Sequence, residues 1–197
     1  MTQSTLFRHN LEEHLELFHR IAGLEDAVAQ ASDMVAASLR QGGKLMICGN
    51  GGSAADSQHI AAEFTGRFID DRRPLPALAL STDSSALTCI GNDYSFADVF
   101  VRQVLALGRA DDCLLAISTS GNSENVVRAV EAARGLGMQT IGLLGRGGGK
   151  LRALCAHSVI VPSDVTARIQ EAHILVGHTI CGAVEQSLGL VPSRSQT

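Results

Sequence analysis

The chain has no tryptophan, one tyrosine and six phenylalanines in 197 residues. So few aromatics leave no stacking platform for single-stranded nucleic acid. A net charge of -4 with no basic run excludes an electrostatic footprint for a polyanion, so any anionic ligand must be held locally. No apolar run approaches the ~20 residues of a membrane span. The opening "MTQSTLFRHNLEEHLELFHR" carries acids and histidines where a signal peptide needs an apolar core, and a cytoplasmic protein is expected. The five cysteines, Cys48, Cys89, Cys113, Cys155 and Cys181, are odd in number, well spaced and without a C-x-x-C pair. That pattern supports neither a disulfide framework nor a cysteine zinc site, and the five read as small buried hydrophobes. Only two lysines are present, Lys44 at the start of a predicted strand and Lys150 in a glycine-rich loop, which argues against Schiff-base chemistry.

What is there is ordinary for a globular chain, 45% hydrophobic and 18% charged, and one α/β domain over residues 1–197 is expected. Apolar runs recur with helical patterns between them: "KLMICG" from Lys44, "LPALALS" from Leu75, "CLLAIS" from Cys113, "QTIGLLG" from Gln139 and "SVIVPS" from Ser158. Continuous runs fit strands covered on both faces, hence a three-layer sandwich around a five-stranded parallel sheet. This core spans residues 42–189. Ahead of it, in residues 1–41, Leu11, Leu15, Phe18 and Ala22 recur at helical spacing, and a second helical pattern runs from Glu25 to Arg40. Two helices with no strand between them cannot join the β-α repeat; they either cover the sheet or pack against another subunit. A last helix is predicted over Ala167 to Leu188, with residues 190–197 as a frayed tail.

Two loops carry the chemistry. "GNGGSA" from Gly49 satisfies G-x-G-x-x-G/A, but no acid stands about 20 residues on at the end of the second strand, where a dinucleotide-binding turn needs it. A Walker loop fails as well, because no G-K-[ST] follows. The general reading survives: glycines let the backbone approach an anion, and the next helix N-terminus favours its charge. "STSGNS", Ser118 to Ser123, repeats the design after the third strand, and its four hydroxyl residues exceed what N-capping alone requires. In a parallel sheet both loops lie at the carboxyl ends of strands, where ligands bind.

Directly after the first loop, His59 and Glu63 are four residues apart and so share one helical face. In the last helix Gln170, Ile174 and His178 form a row, which projects Gln170 and His178 from one face. Two imidazoles, a carboxylate and an amide oxygen suit a borderline divalent ion such as zinc. A His–Glu pair at this spacing is also a common surface ion pair; its place just beyond a phosphate-type loop sets this one apart. His157 and His173 read as structural, and His9, His14 and His19 as facing solvent or a subunit contact.

The stretches "GNGGSAADSQHIAAEF", "IGNDYSFADVFVRQVLALG", "LLAISTSGNSENVVRAV" and "RIQEAHILVGH", in that order and over nearly the whole chain, resemble the phosphoheptose isomerase family of sugar isomerase (SIS) domains. The resemblance implies a homotetramer with active sites at subunit interfaces. It also implies interconversion of sedoheptulose 7-phosphate and D-glycero-D-manno-heptose 7-phosphate, the first step toward the ADP-heptose of lipopolysaccharide or capsule. By the matching motifs, His59, Glu63, Gln170 and His178 correspond to ligands of one zinc per subunit, with Glu63 and His178 also as acid and base. Substrate contacts fall on Asn50, Gly51, Gly52, Ser53, Glu63, Asn92, Asp93, Ser118, Thr119, Ser120, Ser123 and Gln170. Ala167 departs from the pattern, since some members carry aspartate before R-I-Q. The rival is a non-catalytic SIS regulator resembling the replication initiator-associating protein; such regulators lose the ligand set and carry an arginine in the S-T-x-G-N-S loop, where this chain has Ser120.

Overall fold

The computed structural model describes residues 3–192, and no side chain before Thr5 is described. The chain opens with α1 (Gln3–Ile21) and α2 (Glu25–Arg40), then alternates β1 (Leu45–Cys48), α3 (Gly52–Thr65), β2 (Ala77–Ala79), α4 (Ser84–Asp93), α5 (Val101–Leu107) and β3 (Cys113–Ser118). It continues with α6 (Glu124–Gly135), β4 (Gln139–Leu144), α7 (Leu151–Leu154), β5 (His157–Ile160) and α8 (Thr166–Ser187).

All five strands are parallel, in the order β2-β1-β3-β4-β5. Every residue of β1 and β3 is buried, as their unbroken apolar runs require of strands covered on both faces. Alternate residues feed two cores. Leu45, Ile47, Leu115, Ile117 and Ile141 pack with Val35, Phe64 and Ile180 of α2, α3 and α8 on one face. Met46, Cys48, Leu114, Ala116 and Leu144 pack with Ile90, Val104 and Val130 of α4, α5 and α6 on the other. The order reverses between β1 and β3, whose outward loops therefore diverge and leave a crevice at their carboxyl ends.

One reading of the sequence is refined and another corrected. Of the stripe read on α1, Leu11 and Leu15 are 43% and 50% exposed, while Phe18 packs beside Leu17 and Ile21, which are 1% and 9% exposed and pack with Val161, Ile169 and Ala172. The helix is apolar on two sides, and spacing alone does not rank them. The cysteines are not uniformly buried either: all five thiols are free, but Cys89 is exposed on α4 and Cys155 only partly covered. Lys44 directly precedes β1, and its ammonium pairs with the buried Asp112 at the amino ends of β1 and β3, away from the crevice. Among the described residues no helix is long and apolar enough to cross a membrane.

Candidate active site

The crevice is walled by the two loops singled out in the sequence. After β1 the chain turns at Gly51, whose φ of +56° is the left-handed region that side chains avoid, and enters α3 with the Ser53 and Ala54 amides closing a tight first turn onto Asn50 O and Gly51 O at 3.0 Å each. After β3, Ser118 is buried and its hydroxyl accepts from the Gly121 amide at 3.1 Å, closing the turn. Ser123 stands at the N-cap of α6 yet makes no capping hydrogen bond; its hydroxyl faces that of Ser118 at 3.1 Å. Capping therefore does not account for the hydroxyls of this loop. Thr119, Ser120 and Ser123 are partly open to solvent, and Ser120 Oγ accepts from the Asn122 amide at 3.2 Å.

Asn50 and Asn125 tie the loops together, each amide nitrogen donating to the other's carbonyl oxygen at 2.8 Å. Asn50 is thus a strut between loops. Asn125 was not singled out in the sequence, because 75 residues separate the pair. The loop after β4 supports the second wall: Asn122 Oδ1 accepts from the Lys150 amide at 3.0 Å, and the Leu151 amide donates to Gly121 O at 3.0 Å.

Beyond the first loop, α3 and α8 run side by side. Gly177 of α8 permits their close approach, since a Cβ there would lie 2.6 Å from the Ile60 side chain. The approach brings His59 Nε2 within 2.8 Å of His178 Nε2 and 3.3 Å of Glu63 Oε1, and Phe68 stacks on the His178 ring at 5.3 Å. The ligand atoms of His59, Glu63 and His178 all lie within 4.8 Å of one another. Two ring nitrogens and a carboxylate oxygen facing one point can hold a shared proton or a cation, and this donor set suits zinc. Gln170 lies nearer the glycine loop: a Cβ on Gly52 would be 2.3 Å from Gln170 Nε2.

Asp56, one turn before His59, is a further carboxylate that sequence reasoning passed over; its Oδ2 is buried without a hydrogen-bond partner among the described residues, and burial raises its pKa. Asn92 and Asp93 end α4 exposed and bond to each other at 2.8 Å, and among the described residues no hydrogen bond joins them to either loop. The Asn92 amide, with the Cys89 thiol, holds the Asp93 carboxyl below the usual carboxylate range. His157 is structural as expected, bonding Ala27 O at 2.7 Å, while His14 links α1 to Glu171 of α8 at 2.9 Å.

Residues 9–145 match the SIS domain family. The chain is 54% identical to the phosphoheptose isomerase of Rhodospirillum rubrum over 173 residues, covering 88% of this chain and 92% of that one. It belongs to the phosphoheptose isomerase family. Its fold superposes on the solved phosphoheptose isomerases of Neisseria gonorrhoeae (TM-score 0.89, 46% identity) and Francisella tularensis (TM-score 0.91, 39% identity), each over 94% of this chain and all of theirs. A phosphoheptose isomerase is a phosphosugar isomerase, and so is this chain. Within that family frame, Ala167 is exposed in the first turn of α8, which carries no acid, while its neighbour Arg168 is buried and pairs with Glu171 and Glu13.

Proposed function

We propose that the chain interconverts sedoheptulose 7-phosphate and D-glycero-D-manno-heptose 7-phosphate in the cytoplasm, as the first step toward ADP-heptose for lipopolysaccharide or capsule. One observation carries the reading: His59, Glu63 and His178 converge on a single point at the end of the crevice walled by two anion-suited loops. Moving a carbonyl between neighbouring carbons needs a base, an acid and stabilisation of the charge that develops on oxygen. Glu63 is the base that takes the proton from carbon and His178 the acid that serves the neighbouring oxygen, the two alternating as the proton is returned. The loops hold the remote phosphate through Ser53, Thr119, Ser120 and Ser123, which fixes the reacting carbons against α3 and α8. Zinc, one per chain, would be held by His59, Glu63, Gln170 and His178, and when bound it polarises the carbonyl. Asn50, Gly51, Gly52, Ser118, Asn92, Asp93 and Gln170 complete the proposed substrate contacts, and residues 1–197 act as one domain.

Turnover of sedoheptulose 7-phosphate by the purified protein tests the reading, and a folded protein that binds the sugar phosphate without converting it would favour the regulator instead. Elemental analysis should find about one zinc per chain. Active protein with no divalent ion would remove the metal from the scheme. Ser120→Ala deletes a hydroxyl proposed for the phosphate, so KM should rise about tenfold with kcat little changed, the effect of one hydrogen bond to a charged group. A kcat effect without a KM effect would take Ser120 out of the phosphate loop.

The family's tetrameric assembly is also proposed here. Leu6, Phe7, Leu11 and Leu15 are exposed along α1, and an apolar cavity of about 500 Å³ opens among Phe18, Ile21, Val28, Leu175 and Val176. Such faces are what a second copy covers. Light scattering should give four chains per particle, and a fully active monomer at assay concentration would contradict the assembly.

A further inference from the structure

Arg72 lies between α3 and β2, in "DDRRPLP", a run of charges that reads as surface loop, yet its side chain is only 1% exposed. Its guanidinium reaches back to the end of α3. Nη2 donates to Glu63 O at 2.6 Å, and Nη1 donates to Phe64 O at 2.9 Å and Gly66 O at 2.7 Å. The last carbonyls of a helix have no partners within it; here Arg72 supplies Glu63 O and shares Phe64 O with the Leu75 amide, which donates at 2.9 Å. The remaining edge of the fork, Nε, donates to Glu185 Oε1 at 2.8 Å, and the same oxygen accepts from the Phe68 amide at 3.3 Å. Glu185 belongs to the last turns of α8 and its side chain is 3% exposed.

A buried ion pair is weak evidence for stability, because apolar side chains of similar volume often serve as well. Its placement suggests a different role. Helix α3 carries His59 and Glu63, α8 carries His178, and their ligand atoms meet only while the helices keep one register. Gly177 against Ile60 sets how near the helices come, but a smooth contact does not stop them sliding. Arg72 grips the backbone of Glu63 itself and joins it to α8 two turns beyond His178. Phe68, held through its amide by Glu185, is the ring that stacks on His178. We propose that the buried Arg72–Glu185 pair is a positioning clamp that fixes the register of α3 against α8 and thereby the meeting of His59 and Glu63 with His178. It rests on the reading that this cluster is the metal-binding catalytic centre.

Arg72→Lys separates the clamp from a simple ion pair. The variant keeps a charge beside Glu185, but a single ammonium cannot span three carbonyls and a carboxylate. In the full-length variant, zinc affinity measured by competition with a chromophoric chelator should fall about 10–100-fold, as for other partners of metal ligands. Turnover should fall with KM held within about threefold, because the phosphate loops are untouched. In metal-free protein, amides of residues 63–68 should exchange with deuterium at least about tenfold faster than in wild type. Wild-type zinc affinity and wild-type exchange in the variant would overturn the clamp. If Arg72→Lys does not fold, Arg72→Met combined with Glu185→Leu replaces the pair with apolar packing; the same losses support the clamp, and full recovery of exchange and zinc affinity rejects it. If wild type itself takes up no zinc, the metal reading fails, and the exchange rates still decide: faster exchange supports the clamp and unchanged exchange rejects it.

Discussion

Glu63→Gln should leave the protein folded and cut kcat by roughly 10² or more, because the amide keeps the size of the side chain but can no longer take a proton from carbon. The substitution is conservative for packing, since Glu63 is partly exposed on α3 and its backbone carbonyl, not its side chain, is what Arg72 holds. KM should change little, as the loops proposed to hold the phosphate are not ones that Glu63 belongs to. The carboxylate also lies 3.3 Å from His59 Nε2, so zinc content has to be measured beside the rates. Retained zinc with lost turnover assigns Glu63 to proton transfer, whereas lost zinc assigns it first to holding the metal. Equal turnover by Glu63→Gln and wild type would sink the acid–base assignment.

The sheet was legible because a parallel sheet between two helix layers leaves no strand face for polar residues, so each strand becomes an unbroken apolar run. Its ends were less so: β2 is only three residues long, and β5 starts at His157, one residue before the apolar run. The loops were legible for a chemical reason, since hydroxyls and glycines at the end of a strand have few structural uses. Helix pairing was not. Spacing puts His59 and Glu63 on one face and His178 on another helix, but which faces meet depends on Gly177, a residue whose significance appears only when Ile60 is found against it. Arg72 was hidden for the same reason in reverse, its burial arising from partners up to 113 residues away. The Asn50–Asn125 strut is a third case: Asn50 stood out as part of the glycine loop, but its pairing with Asn125, 75 residues on, carries no local signal.

Helix α8 supplies His178 to the site and also buries His173, which should make stability depend on pH. His173 is 0% exposed, and neither ring nitrogen makes a hydrogen bond to another described residue. Burial disfavours the imidazolium and lowers the pKa from 6.5 to about 4, the nearby Leu144 carbonyl offsetting a small part. The unfolded chain therefore binds a proton at a pH where the folded chain does not. Above about 6.5 both states are neutral at this residue and its contribution is fully present; between about 6.5 and about 4 protonation of the unfolded chain draws it away, and below about 4 both states are charged and the loss is complete. A shift of this size corresponds to roughly 3 kcal/mol per chain, large against typical domain stabilities. His173→Leu removes the titration while keeping an apolar filling of similar volume. Unfolding followed by circular dichroism at several pH values should show wild type losing about 3 kcal/mol more than the variant between pH 7 and pH 4. Carboxylates shared by the two proteins cancel in that difference. Parallel curves for the two proteins would show that His173 is protonated or solvated in the folded state, contrary to its burial.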